Sequence, residues 1–326
     1  MATTGITRAF GLTRVSFAAA ALALLAIALV ALPYVGSYFL VFVATEILIM
    51  GLFATSFNLL FGYTGLLSFG HAAYFGTGAY VAALLLRDVQ PDFIWVLAAG
   101  AFGAGLVALV IGALCVRLNE VYFAMLTLAF GMMVYAVFHQ WRSFTGGSDG
   151  VTGFPITELG LGFHAQLGNP IRYYYMVLIV VAASLYALHR ITVSPFGLIL
   201  RAMRENTERV AFAGLPVYRY RLYAFVLSGF FSGLAGAMFA PFNRVAVPEM
   251  VHWAQSAEPV LMTILGGASY FFGPLFGAAV FLGLEHWITT YTTEWMIYLG
   301  IVLLLLVIFL PRGILGLFER WHRGGA

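Results

Sequence analysis

A few polar side chains stand within stretches of this sequence that are otherwise apolar, and these residues could do chemistry. Asn58, Ser68, His71 and Tyr74 fall in one stretch, and the spacing of three between His71 and Tyr74 puts both on one helical face. Glu46 stands between two apolar stretches, residues 41–43 and 47–50. Such groups exchange protons or make hydrogen bonds, and leaving them unpartnered in hydrocarbon costs several kcal/mol. We therefore expect them to face the protein interior or water, either as hydrogen bonds between helices or as contacts for a ligand.

The composition indicates the class of protein that carries these groups. Hydrophobic residues make up 62% of the 326 residues, charged residues make up 9%, and the mean hydropathy is +0.96. Such values are typical of polytopic membrane proteins rather than soluble ones. The 16 lysine and arginine positions are all arginine. Because a nucleotide-binding P-loop requires lysine, any ATP that drives this protein must be bound by partner subunits.

Several kinds of site are excluded by the same sequence. Cys115 is the sole cysteine, so the chain can form neither an intrachain disulfide nor a cysteine metal cluster. The sequence contains no HExxH motif, which leaves a zinc-dependent intramembrane enzyme without its metal ligands and general base. We therefore expect no catalytic residue, no metal site and no cofactor in this chain.

Apolar runs of about 20 residues, the length that crosses a bilayer as a helix, predict an all-α polytopic membrane protein with about eight full transmembrane helices. The stretch near 258–290, which contains the ionisable Glu285, is too short for two crossings. We predict a re-entrant pair of half-helices there, broken at residues 271–274, because irregular backbone is tolerated where protein or a water-filled cavity covers it. The predicted full spans are 15–35, 37–61, 66–86, 93–116, 121–141, 173–190, 221–241 and 295–311, the first of them retained rather than cleaved.

The distribution of arginine predicts the orientation, because loops on the cytoplasmic side are enriched in basic residues. With the N-terminus inside, all but four of the 16 arginines fall on the cytoplasmic side, the exceptions being Arg87, Arg142, Arg172 and Arg244. The prediction is a single transmembrane domain over 1–326, with both termini cytoplasmic. A cytoplasmic loop then lies near 191–220 and a loop on the outer side near 142–171.

Two glycine-interrupted stretches, 62–80 and 266–279, could line a route through the membrane. Glycine lets a helix unwind, and broken segments in corresponding halves of a membrane protein indicate a transport site. The alternative is close helix packing through small residues, which is common in membrane proteins. The residues predicted to line the route are Asn58, Gly62, Gly65, Ser68, His71, Tyr74, Gly266, Gly267, Gly273 and Pro274.

A polar segment from Ser194 to Pro216 interrupts the apolar sequence and must lie in water. Arginine and glutamate recur in it at helical spacings of three and four, and Gly214 supplies a stop signal. The pattern predicts a short rigid helix for contact with another protein, which would pass movement on to Arg219, Arg221 and the seventh span. The alternative is an interfacial helix attracted to anionic lipid headgroups.

Five segments together resemble the LivM-type permeases of bacterial branched-chain amino acid ABC importers, a family whose wider members include urea, amide and other amino acid permeases. The segments are 58–86, 119–130, 144–153, 200–215 and 264–279. The resemblance implies a place in the bacterial inner membrane, with the loop near 142–171 on the periplasmic side. It also implies four partners: a second, LivH-like permease chain, two ATPase subunits that bind the ATP, and a periplasmic amino acid-binding protein. It also implies that a coupling helix sits in a groove of an ATPase subunit, and its expected residues are Arg201, Ala202, Arg204, Glu205, Asn206, Glu208, Arg209 and Gly214.

The predicted function is that of the membrane-spanning permease subunit of an ATP-driven importer for branched-chain or related hydrophobic amino acids, working by alternating access. A urea, amide or other amino acid permease of the same family is one alternative. Another is a proton-coupled secondary transporter in which Glu46 and His71 form a proton relay. The polar loop near 191–220 counts against the second alternative, because a proton-coupled carrier does not need such a loop.

Overall fold

The computed structural model describes residues 27–34, 36–118, 120–160, 163–292, 294–309 and 313–316. Most of the predicted first span, 15–35, lies outside the described residues, and its described part, 27–34, is helical. The hydroxyl of Tyr174 donates a hydrogen bond to the carbonyl of Leu29 at 2.7 Å, and that of Tyr175 donates to the carbonyl of Val30 at 2.9 Å. The helical residues 27–34 therefore lie beside the helix that carries both tyrosines.

Helices account for most of the described residues. Among them, five helices are long and apolar enough to cross a membrane, namely α1, α3, α4, α6 and α9 as bounded below, and each coincides with a predicted span. The protein is thus a multi-pass α-helical membrane protein. In chain order the helices are α1 (Tyr38–Thr64), α2 (His71–Asp88), α3 (Phe93–Cys115), α4 (Glu120–Gln140), α5 (Arg142–Thr145), α6 (Pro170–Val193), α7 (Pro195–Glu205), α8 (Thr207–Phe212), α9 (Val217–Asn243), α10 (Trp253–Gly266), α11 (Gly273–Thr289) and α12 (Trp295–Phe309).

Capping residues set the ends of the long helices. Ser37 accepts a hydrogen bond from the N–H of Leu40 at 3.4 Å at the start of α1, and Asn169 accepts one from the N–H of Ile171 at 2.9 Å at the start of α6. Helix α1 ends at Gly65, whose φ of 79° is left-handed and therefore favours glycine. The chain thus leaves α1 inside the first glycine-rich stretch.

Helix α9 lies at the centre of the bundle, against α1, α2 and α3. The contact is close because glycines face backbone atoms: a Cβ on Gly236 would overlap the carbonyl of Phe75, and one on Gly78 would overlap the carbonyl of Gly233. Close approach of this kind supplies the van der Waals contact that holds helices together in lipid. Cys115 is buried at the end of α3, as a small apolar residue would be.

Three predicted segments have different bounds in the structure. The span predicted at 66–86 begins at His71, because residues 65–70 are not helical. The break predicted at residues 271–274 starts earlier and occupies 267–272, because Gly267, with a φ of 106°, ends α10 and Gly273 already begins α11. Of the span predicted at 295–311, the described part is α12, which has 15 residues, and residues 310–311 lie outside the described residues.

Four short strands were not part of the all-α prediction. β1 (Val151–Thr152) pairs in antiparallel fashion with β4 (Val245–Ala246), and β2 (Glu158–Gly160) pairs with β3 (Phe163–Gln166). Strands of two to four residues are too short to show a readable alternation of polar and apolar residues. The pairing of β1 with β4 joins the loop after α4 to the segment after α9.

Candidate functional site

Each glycine-rich stretch contains a non-helical segment: the first segment is residues 65–70, and the second is residues 267–272. The second segment packs against the last turn of α1, and the first segment begins directly after that turn. A Cβ on Gly62 would overlap the carbonyl oxygen of Ala268 and the Oδ1 atom of Asn58. Glycine is therefore required where α1 meets the second segment. The structure brings the two predicted route segments together at this turn.

The glycines of the second stretch bring α10 and α11 into close contact. A Cβ on Gly266 would overlap the carbonyl of Gly273, and one on Gly273 would overlap the carbonyl of Gly267. Pro274 lies in the first turn of α11, where a missing N–H costs no helical hydrogen bond. These contacts are of the packing kind that the sequence left open as the alternative for this stretch.

A buried chain of hydrogen bonds joins His71 in α2 to α9 and α1. Nε2 of His71 lies 2.7 Å from Oγ of Ser228, and this hydroxyl donates to the carbonyl of Ser56 at 2.5 Å. Because the hydroxyl has a single proton, Nε2 of His71 must carry the N–H that Ser228 accepts. Oγ of Ser56 in turn lies 2.8 Å from Oγ of Ser232. His71 thus makes the hydrogen bond between helices that the sequence had allowed, with the ring of Tyr74 packed edge-on against it.

The serines of this hydrogen-bond chain were not predicted from the sequence. Ser228 and Ser232 are four residues apart, so they share one face of α9, and each is followed by a glycine. That spacing was the signal available in the sequence. Ser56 has no comparable signal, because its role depends on which helix packs against α1.

Several buried polar atoms of α1 and α2 have no hydrogen-bond partner among the described residues. They are the two side-chain amide atoms of Asn58, Nδ1 of His71 and the hydroxyl of Tyr74. Ser68, by contrast, is buried and accepts a hydrogen bond from the N–H of Gly70 at 3.4 Å. A buried unpaired polar group costs about 1–3 kcal/mol. Asn58 and Tyr74 are therefore the predicted route residues with the most capacity to contact a ligand.

Glu46 is paired with a residue far away in the sequence. Its Oε2 atom lies 2.8 Å from Nε2 of His286 in α11, and the two side chains are 17% and 28% exposed. His71 bonds to Ser228 instead. The proposed proton relay between Glu46 and His71 is not formed, because the two side chains are committed to different partners on different helices.

The Glu46–His286 pair should contribute measurably to stability. Glu46→Ala and His286→Ala should each lower the free energy of unfolding. We expect the loss in the double variant to be smaller than the sum of the two single losses by about 1 kcal/mol, because either single change already removes the interaction. Unfolding of the single and double variants in detergent would measure this. The pair Glu46→Ala with His252→Ala, which share no contact, is the matched control and should be additive. Additive losses for Glu46 and His286 would contradict the expectation.

An open cavity of about 960 Å³ lies beside α10, α11 and α12. Its wall is mostly apolar, with Leu261 and Phe281 among the lining residues, while Glu258 and Glu285 add carboxylates. Gln255 donates a hydrogen bond to Oε2 of Glu258 at 2.7 Å. The sequence had singled out Glu285 alone in this region. An apolar wall with a few polar groups is typical of cavities that admit small apolar molecules.

The polar segment forms two short helices, α7 and α8, so the prediction of one rigid helix is wrong. Asn206 separates them: its backbone is extended, and its Oδ1 accepts a hydrogen bond from the N–H of Arg209 at 2.8 Å, which starts α8. Leu200, Met203 and Val210 are buried. The eight predicted coupling residues are all exposed, namely Arg201, Ala202, Arg204, Glu205, Asn206, Glu208, Arg209 and Gly214.

Two arginines of α7 contact the end of α1. Nη1 of Arg204 donates a hydrogen bond to the carbonyl of Gly62, and the guanidinium of Arg201 lies 4.9 Å above the ring centre of Tyr63. The exposed helix pair α7–α8 is thus in direct contact with the turn where the two non-helical segments meet. Phe212, which ends α8 and is 90% exposed, was not among the predicted contact residues.

These features define a class: a multi-pass membrane protein with interrupted helices inside the bundle and an amphipathic helix pair at one end, an arrangement typical of transport proteins. The family described as branched-chain amino acid transport system, permease component, matches residues 39–310. The chain belongs to this family. It is therefore a transport subunit rather than an enzyme.

Three relatives show how far the similarity extends. The LivM high-affinity branched-chain amino acid transport permease of Salmonella typhimurium is 28% identical over 314 residues, 90% of this chain and 74% of the relative. The LivM protein of Escherichia coli K12 is 29% identical over 306 residues, 88% and 72% of the two chains. The LivH permease of Salmonella typhimurium is 25% identical over 284 residues, 81% and 90% of the two chains. No solved structure matches the chain.

Proposed function

We propose that this chain is the membrane-spanning permease subunit of an ATP-driven importer for branched-chain or related hydrophobic amino acids. The relatives named LivM and LivH are permease proteins of such transport systems, and similarity over most of the chain supports the same task here. The observation that carries the proposal is the exposed helix pair α7–α8 in contact with the turn where two interrupted helices meet. A permease driven by a separate ATPase needs a contact surface beside a movable part of its backbone.

The orientation in this proposal follows from arginine asymmetry. Both termini and the helix pair α7–α8 face the cytoplasm, and the loop near 142–171 faces the periplasm across the inner membrane. Helices α10 and α11 form the re-entrant segment, entering from the periplasmic side and turning at residues 267–272. With the first span and α12 counted as crossings, the chain has about eight.

The partners are a second permease chain, two ATPase subunits and a periplasmic binding protein. That this chain is similar to both LivM and LivH relatives supports pairing between two related permeases. The lack of lysine supports ATP binding by separate subunits, since this chain cannot form a standard P-loop. No cofactor is required in the permease itself.

The substrate in this proposal is a small amino acid with an apolar side chain. The apolar walls beside α10, α11 and α12 suit such a side chain. The unpartnered polar atoms of Asn58, His71 and Tyr74 offer hydrogen bonds nearer the centre of the bundle. Alternating access would follow from movement of α7–α8 that separates the segments 65–70 and 267–272.

Reconstitution tests this function. The chain is purified with its co-expressed partners, and leucine uptake into proteoliposomes is measured with and without ATP and the binding protein. We expect ATP-dependent leucine uptake and little urea uptake. Uptake by the chain alone, driven by a pH gradient, would overturn the proposal in favour of a secondary transporter.

Charge reversal on the contact surface should detach the ATPase. Glu205→Arg together with Glu208→Arg places two positive charges where two negative charges were exposed, so recovery of ATPase subunits with the permease should fall by about tenfold or more, as expected for misplaced charges at an interface. Glu294→Arg, an exposed change at the predicted periplasmic surface, is the control and should leave recovery unchanged. Normal recovery with the double variant would contradict the docking role of α7–α8.

A further inference from the structure

We propose that Arg204 is the positioning residue through which α7 holds the two interrupted helices together. This inference rests on the proposed function, since it concerns how movement of α7–α8 reaches the substrate route. It places Arg204 toward the bundle, rather than with the residues of α7–α8 that contact the ATPase.

The end of α1 leaves a backbone carbonyl that requires a hydrogen-bond donor. The N–H of Gly65 bonds to the carbonyl of Phe61 at 3.1 Å, and the N–H of Leu66 bonds to the carbonyl of Leu60 at 3.3 Å. This pattern closes the helix but bypasses the carbonyl of Gly62. Nη1 of Arg204 donates to that carbonyl, and a hydrogen bond from a charged donor is about twice as strong as a neutral one.

The second interrupted helix meets the same turn. A Cβ on Gly62 would overlap the carbonyl of Ala268, so residues 267–272 rest on the residue whose carbonyl Arg204 holds. Gly65 begins the first segment, and a Cβ there would lie 3.2 Å from Cγ of Arg204. The stem of Arg204 thus passes over one segment, and its guanidinium bonds to the turn that supports the other.

Arg201 gives α7 a second contact with this turn. It lies three residues before Arg204, on the same face of α7, and its guanidinium lies over the ring of Tyr63. The contact of α8 is different: Nη2 of Arg221 in α9 donates to Oγ1 of Thr207 at 3.0 Å. This hydrogen bond ties α8 to α9, whereas the contacts of Arg201 and Arg204 tie α7 to the end of α1.

The geometry sets a simple consequence for coupling. A hydrogen bond weakens steeply beyond normal donor–acceptor distance, so a displacement of α7 by 1–2 Å, about the size of known helix shifts at subunit interfaces, would release the carbonyl of Gly62. The two segments would then lose the contact that fixes their shared turn. In a variant without Arg204, ATP hydrolysis would continue but would no longer be transmitted to the route.

Reconstituted complexes of the chain with its partner subunits test this. For Arg204→Ala we expect the ATPase subunits to remain bound and the leucine taken up per ATP hydrolysed to fall at least about tenfold, as loss of a charged hydrogen bond predicts. Arg204→Lys should recover part of this ratio, because an ammonium group can still donate to the carbonyl. Arg190→Ala, an exposed change at the end of α6, is the control and should leave the ratio unchanged.

Hydrogen exchange gives a readout that does not depend on transport. Amides in residues 65–70 and 267–272 should exchange faster in Arg204→Ala than in the wild type, and Arg190→Ala should show no difference. Loss of the ATPase subunits from the Arg204→Ala complex would assign Arg204 to docking and overturn the inference, as would an unchanged uptake ratio. Wild-type complexes that show no ATP-driven uptake would instead refute the proposed function on which the inference rests.

Discussion

Replacing Gly236 by valine should prevent the helical bundle from assembling. Gly236 lies in the central helix α9, where a Cβ would overlap the carbonyl of Phe75 and also approach the N–H of Ala79. Both neighbours are backbone atoms of α2, so no side-chain rotation relieves the clash. Forcing atoms into a packed core typically costs about 1–3 kcal/mol and occasionally more. Because the clash is with backbone and α9 also contacts α1 and α3, we expect the upper end of this range.

The yield of monodisperse protein after detergent extraction measures this effect. We expect Gly236→Val to give aggregated or degraded protein, and Gly236→Ala to give an intermediate yield with a lower melting temperature. Gly283→Val in α11 is the matched control, since no described atom outside its own stretch of helix lies within 4 Å of a Cβ placed there. It introduces the same β-branched residue into a helix without the clash. A normal yield of Gly236→Val would show that α2 and α9 are further apart than the structure has them.

Replacing Ser228 by alanine should also be strongly destabilising. The change removes the acceptor for Nε2 of His71 and the donor to the carbonyl of Ser56. Since Nδ1 of His71 has no partner among the described residues, the buried imidazole would then lack any hydrogen bond within that part of the chain. Leaving a buried polar group unpaired costs about 1–3 kcal/mol. We expect a clear fall in the melting temperature of the detergent-solubilised protein.

The double variant Ser228→Ala with His71→Phe separates this cause from a loss of packing. Removing both polar partners leaves no unpaired ring nitrogen, and phenylalanine can pack against Phe57 and Tyr74, whose rings already contact His71. The double variant should therefore be more stable than the sum of the two single changes predicts. Ser184→Ala is the control, because that hydroxyl bonds within its own helix, to the carbonyl of Val180. Strict additivity at Ser228 and His71 would contradict the network.

The long helices were readable from the sequence because each is an apolar run of nearly constant length between polar ends. Helix α3, for example, runs from Phe93 to Cys115, against a prediction of 93–116. The exposed face of α7–α8 was readable for the same reason, since arginine and glutamate repeat at helical spacing. Their division into two helices was not anticipated, because it depends on the backbone of Asn206, a residue that also occurs inside helices.

The interior of the site could not be derived from local patterns. The partner of Glu46 lies 240 residues away, and the partner of His71 lies 157 residues away. Sequence identifies such groups as needing a partner, because burial without one is costly, but the choice of partner depends on how helices pack. The contact of Arg204 with Gly62 could not be predicted for the same reason. The sequence placed Arg204 on the surface that contacts a partner, and its acceptor is a backbone carbonyl, which has no sequence signature.

The burial of Cys115 makes the natural chain a convenient background for spectroscopic reporters. A thiol packed at the end of α3 reacts slowly with maleimide reagents, because the reagent must reach a thiolate. A cysteine introduced at an exposed position, such as Asn206 between α7 and α8, would then be the main site to carry a fluorophore. The movement of that junction during ATP turnover could be followed in real time without first removing a native thiol.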